Sequence, residues 1–405
     1  MRVLWFSGNS SLYKSDHQNG GWIGALQNYL LKSNDIYLGV AFPTTNKNDK
    51  IKEDDKLKYY PVYTNSLLAS FLNKISLHKR DDLILKKYYN VIADFRPDII
   101  HIWGTELEYG LVVEETKVPI IIHIQGLINP IYYSKYPNGL SAYSFGRLLN
   151  PFSILKLLRN DRYYYHAAQR ERIILHKSSH LLGRTNWDKR ITSLMAPNAR
   201  YYYCSEALRP EFYAATKWQY KSSTTISIIS VLNSSTYKGL NIILEVGNIF
   251  DNLGIDFVWK VVGISSAKNM ENAIKVKKSD NILLLGRRDA GELVFDMLHS
   301  DMLVHASYIE NSPNCICEAQ FLGLPIISTN VGGIPTLLDN GESGSIVAVN
   351  DPWFIASEII LLKSDKSKCL KYSSKSIEVS RKRHDGNEIA NNLLGIYEEI
   401  VSVNR

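Results

Sequence analysis

Short runs of Val, Ile, Leu, Phe and Tyr alternate along this chain with longer stretches whose apolar residues recur three and four apart. The first spacing predicts strands and the second predicts amphipathic helices. In the first half the strands fall near 3–6, 37–42, 59–62, 99–103, 120–125, 181–184 and 201–204. In the second half they fall near 226–232, 257–262, 282–285, 302–305, 326–329 and 346–349. Several are continuous apolar runs, the pattern of parallel strands buried on both faces. Strand–helix alternation of this kind predicts an α/β fold of two doubly wound, Rossmann-like domains. The second starts afresh at the strand near 226. The boundary therefore falls within 206–223, giving domains at 1–207 and 208–385. The segment 387–401, NEIANNLLGIYEEIV, has helical spacing and predicts a last helix within 386–405.

Composition sharpens this picture. A length of 405 residues fits two domains. At 45% hydrophobic and 21% charged the chain is globular. No apolar run is long enough to span a bilayer. The opening MRVLWFSGNS turns polar too soon for a signal peptide. Cys204, Cys315, Cys317 and Cys369 show neither disulfide nor metal spacing, which predicts reduced thiols and a cytoplasmic protein. Charge is lopsided: residues 1–200 carry 27 Lys+Arg against 17 Asp+Glu, or +10, and the remainder carries 20 against 23, or −3. A basic first half suits a polyanion or an anionic membrane surface, or is simply a soluble basic domain. The stretch 134–177 interleaves aromatics with Lys and Arg. It fits either a membrane interface or helices packed on the first domain.

The richest chemistry lies in 301–347, DMLVHASYIENSPNCICEAQFLGLPIISTNVGGIPTLLDNGESGSIV. Glu310 and Glu318 flank a Ser-Pro pair that can open a helix, with Ser312 as N-cap and Pro313 as the first helical residue. The amides of Asn314 and Cys315 would then be free donors at a positive helix end, an anion site. Eight helical residues cover roughly 12 Å. That spacing suits an elongated ligand with an anion between two polar ends, such as a sugar nucleotide.

The stretch resembles the donor-binding signature of glycosyltransferase family 4, retaining enzymes of the GT-B fold. The match consists of Glu310-x7-Glu318, then Gly323-Leu324-Pro325, a strand over 326–329, and Gly332-Gly333. The resemblance implies two Rossmann-like domains facing an interdomain cleft, with the last helix returning to the first domain. It implies that Glu310 orients the donor sugar and stabilises its developing positive charge, while Glu318 holds the ribose. Lys238, with the amides of Asn314 and Cys315, would meet the diphosphate. Gly20-Gly21, before the first helix, would lie against phosphates and acceptor, or form a ligand-free turn. Arg287, after the strand near 282–285, would sit by the base or phosphate, or be a strand-end charge in water. Gln125 stands where many relatives carry a His touching the sugar.

There are departures. Asn233 replaces an Arg five residues before Lys238, Asn311-Ser312-Pro313-Asn314 replaces the usual Gly-Phe-Gly region, and Thr336 replaces a Glu. His101 and His123 read as packed core histidines. Asp54-Asp55 and Asp81-Asp82 lie outside any metal-ligand spacing, so no metal is expected.

The resemblance implies a metal-independent retaining transferase with a UDP- or GDP-sugar as substrate and no further cofactor. Its acceptor would be a glycan or lipid-linked glycan of a bacterial surface polysaccharide, with no nucleic-acid partner. A GT-B sugar-nucleotide epimerase and a non-catalytic nucleotide-sugar-binding protein are the alternatives.

Overall fold

A computed structural model describes residues 1–13, 20–33, 35–141, 144 and 151–403. The chain divides into two compact units. The first comprises Met1–Asn129, Tyr163–Ala207 and His384–Arg405; the second comprises Pro130–Arg162 and Leu208–Arg383.

In the first unit eight strands form one sheet: β1 (Arg2–Phe6), β2 (Tyr37–Thr44), β3 (Lys52–Glu53), β4 (Leu57–Tyr63), β5 (Ile99–Trp103), β6 (Ile120–His123), β7 (His180–Gly183) and β8 (Arg200–Tyr203). Their order is β3-β4-β2-β1-β5-β6-β7-β8. Every pair is parallel except β3 with β4. That antiparallel strand has two exposed residues and no apolar run, so hydrophobic pattern could not predict it.

β1 shows why the others form. Val3 and Trp5 enter one cluster with Leu26, Leu38 and Val40, while Leu4 and Phe6 enter another with Ile84, Tyr88 and Phe95. Alternation sends successive side chains to opposite faces, and both faces are covered. One cover includes the helix α1 (Gly21–Leu30). The other includes α3 (Leu77–Phe95), preceded by a short helix α2 (Leu67–Ile75). The final helix, Gly386–Val403, packs Leu393, Tyr397 and Ile400 into the first cluster. Tyr397 also accepts a 3.1 Å hydrogen bond from Trp5 Nε1.

The second unit is an all-parallel sheet of β9 (Ile226–Val231), β10 (Phe257–Val262), β11 (Ile282–Gly286), β12 (Met302–His305), β13 (Ile326–Thr329) and β14 (Ser345–Val347). Its order is β11-β10-β9-β12-β13-β14. The reversal from β9-β10-β11 to β12-β13-β14 makes β9 and β12 the switch point of a doubly wound sheet.

Residues 130–162 correct the domain limits expected from sequence. They group with the second unit because Tyr136, Leu140 and Leu157 pack on its core, and Thr236 Oγ1 donates to the Lys135 carbonyl. Part of the 134–177 stretch, including 145–150, lies outside the described residues.

Candidate functional site

The carboxyl ends of β9 and β12 bring Lys238 and Glu310 together. Lys238 ends a short turn, Thr236–Lys238, and Gly239 follows at φ 79°. A Cβ on Gly239 would lie 2.0 Å from the Ala306 carbonyl, so only glycine lets this turn close onto the loop after β12. The Tyr308 amide donates to the Tyr237 carbonyl at 2.8 Å and fixes that approach. Lys238 Nζ then meets Glu310 Oε1 at 2.5 Å.

Two residues that sequence reasoning missed hold the same oxygen. Ser307 Oγ donates to it at 2.9 Å, and His305 Nε2 lies 3.4 Å away. His305 Nδ1 is in turn 3.2 Å from Ser328 Oγ on β13. Burial alone would raise the Glu310 carboxyl. The Lys238 ammonium, then the His305 hydrogen bond, overcome this and hold it at about 2. Burial works against the Lys238 charge, and Glu310 raises that group above its ordinary value. The carboxylate and ammonium therefore sustain each other.

Gly332-Gly333 supports Glu310 from beneath. Gly332 has φ 50°, and a Cβ there would lie 1.8 Å from the Glu310 carbonyl oxygen. The Gly333 amide donates to that oxygen at 3.0 Å. The glycine pair shapes the loop that carries Glu310.

The helix after Glu310 spans Asn314–Leu322, one residue later than expected. Pro313, with ψ 122°, is the N-cap, and Ser312 Oγ lies 3.7 Å from Cys317 Sγ. Pro313 instead offers its carbonyl to the amides of Ile316 (3.0 Å) and Cys317 (3.4 Å). Asn314 and Cys315 become the first two helical residues, whose amides have no acceptor within the helix. The Cys315 thiol is buried, and burial, then the Glu310 carboxylate, pushes it up to about 12. It is a packing group, not a nucleophile.

Glu318 lies buried in the second turn of this helix. Arg209 reaches its Oε1 twice, from Nε at 2.9 Å and from a terminal nitrogen at 2.7 Å. Burial pushes the Glu318 carboxyl above its usual range, and Arg209 pulls the other way. No spacing rule singled out Arg209. Thus each motif glutamate carries its own cation.

Asn233, in the place of the family's Arg, is exposed and accepts from the Ser235 amide at 2.9 Å, a turn-forming role. Arg287 is exposed just past β11, whereas Arg288 pairs with Glu292 at 3.0 Å and Asp296 at 3.2 Å. The structure brings Arg287 to none of the motif glutamates. The Thr336 amide donates to the Gly333 carbonyl at 2.9 Å.

In the first unit Gly20 is the N-cap of α1, and Gly21 has φ 51° with open space where a Cβ would be. Gln125 lies two residues beyond β6, which ends at His123. Arg184, which the sequence reading passed over, links the two regions. Its guanidinium lies 4.9 Å from the Trp22 ring on α1, and a terminal nitrogen donates to the Gln125 carbonyl at 3.0 Å. A further carboxyl, Glu106, follows β5. A Cβ on Gly104, whose φ is 86°, would lie 1.8 Å from Glu106 Oε2 and 3.1 Å from Gln125 Cγ. Burial raises Glu106 to about 7, with Glu171 adding to the rise and the Gly126 amide and Arg184 opposing it. His101 and His123 are fully buried, and burial holds both well below the ordinary histidine value.

This geometry agrees with what the chain resembles. Residues 215–379 match the family described as glycosyl transferases group 1. The amylovoran biosynthesis glycosyltransferase AmsK of Erwinia amylovora is 22% identical over 192 residues, 45% of this chain and 46% of that one. The chain spans less than half the length of the curated relatives it matches. Among solved structures, a sucrose-phosphate synthase from Thermosynechococcus elongatus superposes with a TM-score of 0.74 at 13% identity, covering 100% of both chains. Anabaena HepE in complex with UDP-glucose gives 0.64 at 12% identity, covering 98% of this chain and 100% of that one. At these identities the likeness establishes the fold, which is GT-B.

Proposed function

We propose that this chain is a retaining glycosyltransferase. It takes a sugar from a UDP- or GDP-sugar and passes it to a glycan or lipid-linked glycan during bacterial surface polysaccharide assembly. The observation that carries this reading is the ion pair between Glu310 and Lys238, next to the first amides of the Asn314–Leu322 helix. A carboxylate, an ammonium and a helix N-terminus in one place suit a donor with a polar sugar and a diphosphate. Glu310 orients the sugar and faces the positive charge that develops as the bond from the anomeric carbon to the diphosphate oxygen breaks. The acceptor oxygen forms its new bond on the same face, and its proton leaves with the diphosphate. Lys238 and the helix amides take up the charge of the leaving group without a metal, and Glu318 holds the ribose. The polysaccharide context draws on the name of AmsK, and the donor class draws on the UDP-glucose bound to HepE. The basic first half meets an anionic membrane surface that presents the acceptor.

A thermal-shift screen of UDP-, GDP- and ADP-sugars tests the donor, because a specific ligand raises apparent stability by mass action. Turnover of the stabilising donor, followed by NMR of the product anomer with and without EDTA, tests the chemistry. An inverted anomer, or loss of activity restored by added Mg or Mn, would refute the mechanism. Binding with no donor hydrolysis and no transfer would make the chain a nucleotide-sugar-binding protein.

A further inference from the structure

Helix α2 carries its apolar face on the outside. Ser66 caps it by accepting from the Ala69 amide at 3.2 Å. Ala69 is the buried residue of the helix. Leu67, Leu68, Phe71 and Ile75 are 93%, 53%, 58% and 57% exposed. At about 100° per residue these four fall within an arc of about 100°. A surface helix ordinarily turns that arc to the core. Singly scattered exposed apolar residues need no explanation, but four on one helix face mark an interaction surface.

The charge along this segment of the chain, from 64 to 80, is of one sign. The segment holds Lys74, Lys79 and Arg80 and no acid. Lys74 borders the apolar arc, and His78 and Lys79 are exposed at the start of α3. Asp81 is buried and bonded to His166 (2.8 Å) and Arg170 (2.9 Å), so its charge is spent inside. Asp82, exposed, is the next acid outward. An apolar helix face bordered by cations fits the headgroup region of an anionic bilayer. A second copy of this chain fits less well. Four side chains on a nine-residue helix cover a few hundred Å², below the ~800 Å² per partner of a standard interface.

We propose that α2 is the membrane-docking element of the first unit. It lays Leu67, Leu68, Phe71 and Ile75 among lipid chains, with Lys74, His78 and Lys79 against anionic headgroups. This deepens, and rests on, the membrane contact proposed above. It places that contact on 66–79, away from the aromatic and basic stretch at 134–177.

Sedimentation of the full chain with phosphatidylcholine vesicles, with and without phosphatidylglycerol, tests it. The wild type pellets with anionic vesicles and is released by salt, since screening shortens the reach of Lys and Arg. The triple variant L67S/L68S/F71S lowers the bound fraction by roughly tenfold or more, because its deleted contacts are the apolar ones. K74Q/K79Q lowers it by roughly threefold and flattens the salt dependence. Both variants change exposed residues, so their melting temperatures match the wild type. Wild type that stays in the supernatant at low salt overturns the membrane reading as a whole. Wild type and triple variant that bind alike overturn the assignment to α2 alone. Vesicle-free dimers that vanish in the triple variant would assign the face to a second copy. None of these outcomes bears on the site around Glu310.

Discussion

Glu310 lies five residues past the end of β12, and Glu106 lies three past the end of β5. Each stands where a parallel sheet presents its carboxyl ends. Each sits beside a glycine in the left-handed region: Gly332 beneath Glu310 and Gly104 beneath Glu106. Their charge states nevertheless diverge. Lys238, His305 and Ser307 converge on one oxygen of Glu310 and keep it ionised. Around Glu106 burial dominates, Glu171 adds to it, and the carboxyl titrates near neutrality. A strand end therefore supplies a place for a carboxyl and leaves its charge open. The charge is decided by the partners that other segments bring: a lysine at close range in one case, and a second carboxyl with a more distant arginine in the other.

The contrast is broken most directly by removing the ionised member. Glu310→Ala should lower turnover by about two to three orders of magnitude, the usual scale for losing one preorganised electrostatic group. Affinity for the free nucleoside diphosphate, which lacks the sugar, should change little. Steady-state kinetics set beside calorimetry decides this. Equal losses in turnover and nucleotide affinity would mean that Glu310 does not act on the sugar.

Glu318→Gln should weaken donor and free nucleotide diphosphate alike. Charge-assisted hydrogen bonds are worth roughly 1.5–3 kcal/mol, so a loss of about ten- to a hundredfold is expected. Arg209 loses its carboxylate partner in the same variant, so part of the cost appears as lower stability. Unchanged nucleotide affinity by calorimetry would remove Glu318 from the ribose.

Gly332→Ala tests the support under Glu310. The new Cβ would meet the Glu310 carbonyl at 1.8 Å, and the backbone would be held at φ 50°. Strain of this kind costs about 1–3 kcal/mol, or on the order of 2–8 °C in melting temperature. The loop relieves it by moving, so turnover should fall with stability. A variant that melts like the wild type and turns over normally would show that the glycine is dispensable.

Much of this was legible in sequence, and the physics says which parts. Continuous apolar runs gave all thirteen expected strands an end within two residues of the observed one, because buried parallel strands have few other ways to look. The last, expected near 346–349, is observed as Ser345–Val347. The glutamate pair and both glycine pairs stood out because their spacing is local. What escaped is non-local. Arg209 is 109 residues from Glu318, and Arg184 is 59 from Gln125. His305 could have been noticed at the end of β12, five residues before Glu310, yet a lone histidine in an apolar run reads as core. The helix start slipped by one residue because Pro313 suits both the N-cap and the first turn, and sequence cannot choose between them. The grouping of 130–162 with the second unit depends on packing of Tyr136, Leu140 and Leu157, which no local pattern encodes.

The smallest effect separates the two glutamates by pH. Glu106 is raised from 4.5 to about 7 in the folded chain. Its proton-linked stability is fully present below about 4.5, the unfolded value, and is lost as pH rises through 7. Glu310 is lowered from 4.5 to about 2. Its contribution is present above about 4.5 and is lost as pH falls toward 2. Glu106 touches solvent, so its share is about 1–2 kcal/mol, less than the full equivalent of its shift. Glu106→Gln should therefore remove a decline in urea midpoint that the wild type shows between pH 5 and pH 8, and leave the acid limb alone. Glu310→Gln should do the reverse, flattening the acid limb and sparing the neutral range. If Glu106→Gln retained the wild-type decline between pH 5 and pH 8, another group would be titrating there, and the contrast between the two strand ends would rest on Glu310 alone.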